Sequence, residues 1–305
     1  IDAFRCDMAE MVPVEFWQWA IGKVKEAHPD ILFIAEVYNP AQYRDYVHRG
    51  GFDYLYDKVG LYDALRAVTR HEASAQCLTR CWQQVDDIRT HMLHFLENHD
   101  EQRLASDFFA GDARRGRAPL LVSALMDYCP MMIYFGQELG ERGMDAEGYS
   151  GRDGRTTIYD YWTVDTVSRW RNGGKFNDKK ITGDEKRLRE FYARVLALRE
   201  SMPVLRSGHF YDLMYVNRHL HRQYVFVRQL EKQVLLVIAN FDDQEANLSI
   251  HLPEEFFRFI GQKGQTEVRA LDLLSEEETQ VDFTPDRPLC ATVLPWNGLV
   301  LSIDL

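Results

Sequence analysis

Phe95-Leu96-Glu97-Asn98-His99-Asp100, followed by Glu101-Gln102-Arg103, is a short apolar run, beginning at Met92, that stops abruptly in polar and ionisable groups. A buried parallel strand is apolar along its length and functional at its C-terminal tip, and this stretch has that design. Two others share it: Ile1-Asp2-Ala3-Phe4-Arg5-Cys6-Asp7 and Ile31-Leu32-Phe33-Ile34-Ala35-Glu36. Three apolar strands that each end in a carboxylate predict one site assembled from three strand tips.

The segments between them are helical. Pro13 to Ala27 is a predicted helix with Pro13 in its first turn and Phe16, Trp19, Ala20, Val24 and Ala27 on one face. A short helix from Asn39-Pro40 stops at Gly50-Gly51, and Phe52 to Tyr56 reads as a strand. Leu61–Val68, Gln76–Ile88 and Gly116–Met126 read as helices, and Pro130 to Tyr134 as a fifth strand running into Phe135-Gly136-Gln137-Glu138. Strands alternating with helices mean βα units and a parallel sheet, whose right-handed crossovers put every tip on one edge. Five such units suit part of a (β/α)₈ barrel, which needs ~250 residues in all. An open doubly wound sheet is the alternative, but no glycine-rich phosphate loop follows any strand.

Tyr149 to Asn177 is polar and glycine-rich, and reads as a long loop carrying Tyr159, Tyr161, Trp162 and Trp170, a composition found at binding rims. Asp184 to Glu200 is a helix ended by Pro203. From about Leu205 the pattern changes to seven short alternating runs: His209–Tyr215, Tyr224–Leu230, Val234–Asn240, Asn247–Leu252, Glu267–Leu273, Ala291–Leu294 and Leu299–Ile303. Residues 1–204 are therefore expected to be barrel, and 205–305 an all-β sandwich or small barrel.

Bulk properties narrow the function. The 305 residues are 46% hydrophobic and 12% aromatic, those of a folded globular chain. A net charge of −11 argues against nucleic acid or an anionic membrane as partner and suits a neutral substrate. The longest apolar window, Pro119 to Phe135, is interrupted by Asp127 and Pro130 and falls short of the ~20 residues of a membrane span. No signal-peptide pattern opens the chain, which starts on Ile1 in mid-strand and is expected to be a fragment or a processed product. The five cysteines are scattered and read as free thiols; Cys77 and Cys81, four apart on a helix, lack further metal ligands nearby in sequence.

Side chains two apart on a strand share a face, so Arg5 and Asp7 point the same way. A guanidinium beside an aspartate keeps it ionised and aimed, as a carboxylate nucleophile requires. Glu36 follows Phe33, Ile34 and Ala35, and burial of that kind raises a carboxyl's pKa and keeps a proton available for a leaving group. Asp100, beside His99, is placed to stabilise positive charge at a reaction centre. Carboxyls in divergent environments are the equipment of glycosidic cleavage, one protonating the departing oxygen while the other attacks the sugar or activates water. The competing readings are ordinary: a helix N-cap or surface charge for each acid, and a structural role for His99.

At these residues the chain resembles the α-amylase superfamily, glycoside hydrolase family thirteen, over nearly all its length. Asp2-Ala3-Phe4-Arg5-Cys6-Asp7 is similar to the family's fourth-strand motif, with Ala3 where glycine is usual. Ile34-Ala35-Glu36-Val37-Tyr38 resembles the fifth-strand motif, Asn98-His99-Asp100 matches the seventh, and Pro130 to Glu138 resembles the eighth. The β-rich tail is similar to the family's C-terminal domain. The resemblance implies barrel strands four to eight and a retaining double displacement on α-linked glucans or maltooligosaccharides. Asp7 would be the nucleophile, Glu36 the general acid/base and Asp100 the transition-state stabiliser, with Arg5 and His99 binding and orienting. Tyr38 and Arg103 would touch substrate, with local packing or a surface ion pair as the alternative. The family's region on the third strand is absent, and with it the principal calcium site, so no cofactor or metal is expected of this chain. The Lys-His pair of many endo-acting amylases is here Glu10-Met11, which leaves room for exo-acting or glycosyl-transferring relatives. An upstream half of the barrel is the expected partner, and without it these residues alone are expected to be poorly active or inactive. A glucan-binding fragment without catalysis is the third expectation.

Overall fold

The computed structural model describes residues 1–145, 152–159 and 163–304. Its first half is a five-stranded parallel sheet in sequential order: β1 (Ala3–Cys6), β2 (Leu32–Ala35), β3 (Tyr54–Tyr56), β4 (Met92–Phe95) and β5 (Met131–Met132). Register places Arg5 opposite Ile34, Ile34 opposite Tyr54, Leu55 opposite Met92 and His94 opposite Met131. All five strands point the same way, so Asp7, Glu36 and the turn after Phe95 emerge along one rim. β4 is buried at all four positions, which is why its sequence is an unbroken apolar run apart from His94.

Between the strands lie α1 (Val14–Ala27), α2 (Tyr43–His48), α3 (Asp63–Thr69), α4 (Cys77–Gln84) and α5 (Arg117–Leu125). α1 buries Val14 and Ile21, and of the predicted stripe Val24 packs against the core while Trp19 is 62% exposed and Phe16 is exposed beside it. Two apolar stripes compete around this helix, and the one holding Trp17, Ile21 and Val24 reaches the core under β1–β3. The predicted rim loop contains a helix, α6 (Asp165–Arg171), that its polar sequence concealed; Tyr149, Tyr161 and Trp162 lie outside the described residues. α7 (Gly183–Ser201) starts in a capping box, with Thr182 accepting from the Glu185 N–H and Glu185 accepting in return. α8 (Pro203–Ser207) then leads into the β region.

Eight antiparallel strands follow where seven were expected. A six-stranded sheet has the order β11 (Glu278–Phe283), β10 (Gln265–Asp272), β13 (Gly298–Asp304), β8 (Gln233–Asn240), β7 (Gln223–Leu230), β6 (His209–Asp212). A two-stranded sheet pairs β12 (Leu289–Val293) with β9 (Ala246–Ile250). β11 escaped notice because it opens on acidic and polar residues and buries only Val281 and Phe283. The helix α9 (Glu254–Ile260) caps this region through Phe256, Phe257 and Ile260.

One hydrophobic core runs without a break from β4, α3 and α5 into β7, β8 and β13. At that seam the buried Arg228 guanidinium donates to the carbonyls of Met126 (2.6 Å), Leu205 (3.0 Å) and Gly208 (2.8 Å), at the ends of α5 and α8. Burial pulls this guanidinium down to about 10, with Asp127 acting the other way. Helix C-terminal carbonyls lack partners of their own, so a cation there supplies both hydrogen bonds and charge. Arg228→Met removes those donors and is expected to destabilise by about 2–3 kcal/mol. A lowered urea midpoint at constant slope is the expected readout, and an unchanged midpoint would show that the seam does not need the cation.

Candidate active site

The site is organised around one guanidinium. Arg5, on β1, ion-pairs through Nη1 with Asp7, through Nη2 with Glu36 at 2.8 Å, and through Nη2 with Asp100 at 3.9 Å. Its face lies 5.5 Å from the Tyr56 ring at the tip of β3. Carboxylates from β1, β2 and β4 therefore converge, as the three strand tips predicted. Burial alone would lower the Arg5 pKa, but Tyr56, Asp7 and Glu36 outweigh it and hold the group above the ordinary arginine range. It stays charged whatever the state of its neighbours.

The three carboxylates differ in access. Asp7 is the open one, its side chain 68% exposed. Glu36 is 6% exposed, accepting from the Met8 N–H at 2.7 Å and the Tyr38 hydroxyl at 2.9 Å. Its surroundings are therefore buried but rich in donors, where the sequence had suggested an apolar wall. Met8 donates from a left-handed conformation (φ 41°), uncommon for a residue with a side chain and characteristic of functional turns. Asp100 is half-exposed, and its Oδ2 lies 3.1 Å from His99 Nε2. Its N–H and that of Glu101 both donate to Asn98 Oδ1, at 2.9 and 2.8 Å, so a buried Asn98 fixes the turn. His99 also meets the edge of Tyr159 at 6.3 Å.

Of the weaker candidates, Tyr38 is at the site but is engaged with Glu36. Arg103 is a correction. It is fully buried, bonded to Glu97 at 2.8 Å and Thr156 Oγ1 at 2.8 Å, and packed on the rings of Tyr134 and Phe135 at 4.3 and 5.0 Å. It faces inward from the turn that carries Asp100, with none of its side chain exposed, which is the local-packing alternative. Glu97 in turn accepts from the Leu104 N–H at 2.7 Å, so the pair clasps both ends of that turn. Burial pushes the Glu97 carboxyl up, and Arg103 pulls against it.

Sequence reasoning missed three neighbours. Tyr56 shares a strand face with Tyr54, and that period was the available signal. Glu10 accepts from the Tyr38 and Asn39 N–H groups, both at 2.9 Å, and ties the β2 tip to the turn after β1. Lys58 lies between Tyr38 and Tyr62, which no local pattern announced. Cys81 Sγ is directed at the Gly60 and Cys77 carbonyls. Among the described residues no group of three or more His, Cys, Asp or Glu side chains is arranged to hold a metal ion, and no helix is long and apolar enough to cross a membrane.

An exposed carboxylate paired with Arg5, a buried carboxyl that accepts from a tyrosine hydroxyl, and a third carboxylate beside a histidine thus meet at the strand tips. The family model "Alpha amylase, catalytic domain" matches residues 3–208, and the chain belongs to that family. It is 24% identical to neopullulanase 2 of Thermoactinomyces vulgaris over 99% of this chain and 45% of that protein. It is 29% identical to the alpha-1,4-glucan:maltose-1-phosphate maltosyltransferase of Myxococcus xanthus over 32% of this chain and 15% of that one. The acarbose complex of the Geobacillus thermoleovorans alpha-amylase superposes with a TM-score of 0.71 at 19% identity, covering all of this chain and 60% of that one. The chain thus spans less than half the length of these curated relatives. It has the five parallel strands of a half-barrel, and its β-sandwich fits those neighbours.

Proposed function

We propose that this chain carries the catalytic carboxylates of a retaining enzyme acting on α-linked glucans or maltooligosaccharides. The observation that carries the reading is the convergence of Asp7, Glu36 and Asp100 on Arg5. Asp7 attacks the anomeric carbon while Glu36 gives its proton to the departing oxygen. The glycosyl is then held as an ester on Asp7, and Glu36 takes a proton from the incoming water or sugar. Asp100, aimed by His99 and the Asn98 turn, faces the positive charge that develops on the sugar ring. Arg5, paired with both Asp7 and Glu36, holds the two carboxyl groups at one reaction centre. A neutral substrate suits a protein of net charge −11. The free edge of β1 and the family's length favour an upstream half of the barrel as the partner that completes the substrate cleft.

Transfer to a sugar is the second reading, favoured by the maltosyltransferases among the relatives. Water and sugar compete for the same ester, so one experiment serves both. Incubated with maltoheptaose, the intact protein is expected to release shorter maltooligosaccharides. With an acceptor in excess, longer products mark a transferase and their absence a hydrolase. Maltoheptaose left unchanged under both conditions would overturn the proposal.

A further inference from the structure

The tip of β3 does something the catalytic scheme does not use. Directly after Tyr56 the chain makes a π-helical turn, Lys58–Tyr62, in which the Tyr62 N–H reaches back to the Asp57 carbonyl at 3.0 Å. Asp57 is buried and accepts from the Leu61 N–H at 2.8 Å. A Cβ at Gly60 would stand 2.4 Å from Asp57 Oδ1, so a side chain there would displace the Asp57 carboxyl. Such turns are rare and are found mostly at functional sites. This one delivers Lys58 to the rim.

The Lys58 ammonium bonds Asp63 at 2.8 Å and Glu101 at 3.2 Å, and lies 5.9 Å from the Tyr38 ring and 5.2 Å from that of Tyr62. Tyr62 donates to Glu101 at 3.2 Å. Tyr38 donates to Glu36, and the Glu101 backbone shares the Asn98 cap with Asp100. A cation between two tyrosine rings, fixed by two carboxylates, joins the β3 tip to those of β2 and β4. Burial would lower the ammonium's pKa, but Asp63 and Glu101 outweigh it, so the charge is kept.

We infer that Lys58 is a positioning residue for the reaction, holding the Tyr38 hydroxyl on Glu36 and Glu101 beside Asp100. The inference rests on the proposed roles of Glu36 and Asp100. It assigns Lys58 a duty in the transition state rather than in substrate affinity, because it contacts Tyr38 and Glu101, the partners of the reacting groups.

The test is a double-mutant cycle in the intact protein, with steady-state kinetics on maltoheptaose. Lys58→Met is expected to lower kcat about tenfold with KM changed less than about threefold, and Lys58→Arg to restore most of the loss. In a Tyr38→Phe background the Lys58→Met step should cost less than about twofold, because the hydroxyl it positions is gone. A full tenfold loss in that background, a loss carried by KM, or no rescue by arginine would overturn the inference. Should Lys58→Met fail to fold, Glu101→Gln takes its place, with the same kcat-only loss and the same non-additivity expected. Asp7→Asn run alongside separates the two claims. An active Asp7→Asn removes the proposed function, whereas an inactive one with an additive cycle removes only the role of Lys58.

Discussion

Asp7→Asn is expected to lower kcat on maltooligosaccharides by on the order of 10⁴-fold and to leave thermal unfolding nearly unchanged. Removing the nucleophile abolishes the covalent route and leaves only binding and charge stabilisation by the remaining groups. At 25 °C four decades correspond to about 5.5 kcal/mol of transition-state stabilisation. Stability is expected to be spared because the side chain is largely exposed and is paired with Arg5, which retains Glu36 as a partner. Steady-state kinetics and a melting curve on the same sample check both halves. A variant that keeps near-normal turnover would remove Asp7 from the chemistry.

Arg103→Met reverses this balance, with a large loss of stability. The substitution leaves the Glu97 carboxylate buried without its cation, and breaking a buried pair from one side costs about 3–5 kcal/mol. The expected fall in Tm is roughly 10 °C. The double change Glu97→Leu, Arg103→Met should recover much of it, since two apolar side chains can occupy a space where one unpaired charge cannot. Because the pair closes the turn carrying His99 and Asp100, Arg103→Met should also lower kcat, at temperatures where it is still folded, by up to about 100-fold. An unchanged Tm would mean that the buried pair is not what secures the turn.

The legible part of this site is the part written along strands. β4 announces itself because a strand covered on both faces must be apolar. β1 and β2 carry similar apolar runs although Phe4 and Leu32 are exposed, and the ionisable residue past the end of each run is then conspicuous. Asp7, Glu36 and Asp100 were found that way, and the alternation of Arg5 with Asp7 placed them on one face. Arg103 stays open in the sequence between a substrate contact, local packing and a surface ion pair, because its stretch is polar. Only the fold shows that Glu97, Thr156 and two aromatic rings enclose it. Lys58 and Glu10 act across elements distant in sequence, and period and spacing carry no information about such contacts. α6 lay hidden in a glycine-rich segment, and β11 in an acidic one, because tertiary packing overrode weak local preference.

The central claim is that Asp7 carries the sugar between two displacements. It is tested most directly by trapping that ester in the intact protein. The probe is an activated α-glucosyl fluoride bearing a second ring fluorine, which slows departure of the glycosyl group; digestion and mass spectrometry then locate the adduct. The account predicts one added glycosyl mass on the peptide containing Asp7, absent in Asp7→Asn. An adduct on Glu36, Asp100 or any other residue, or turnover of the probe with inverted configuration and no adduct, would contradict it.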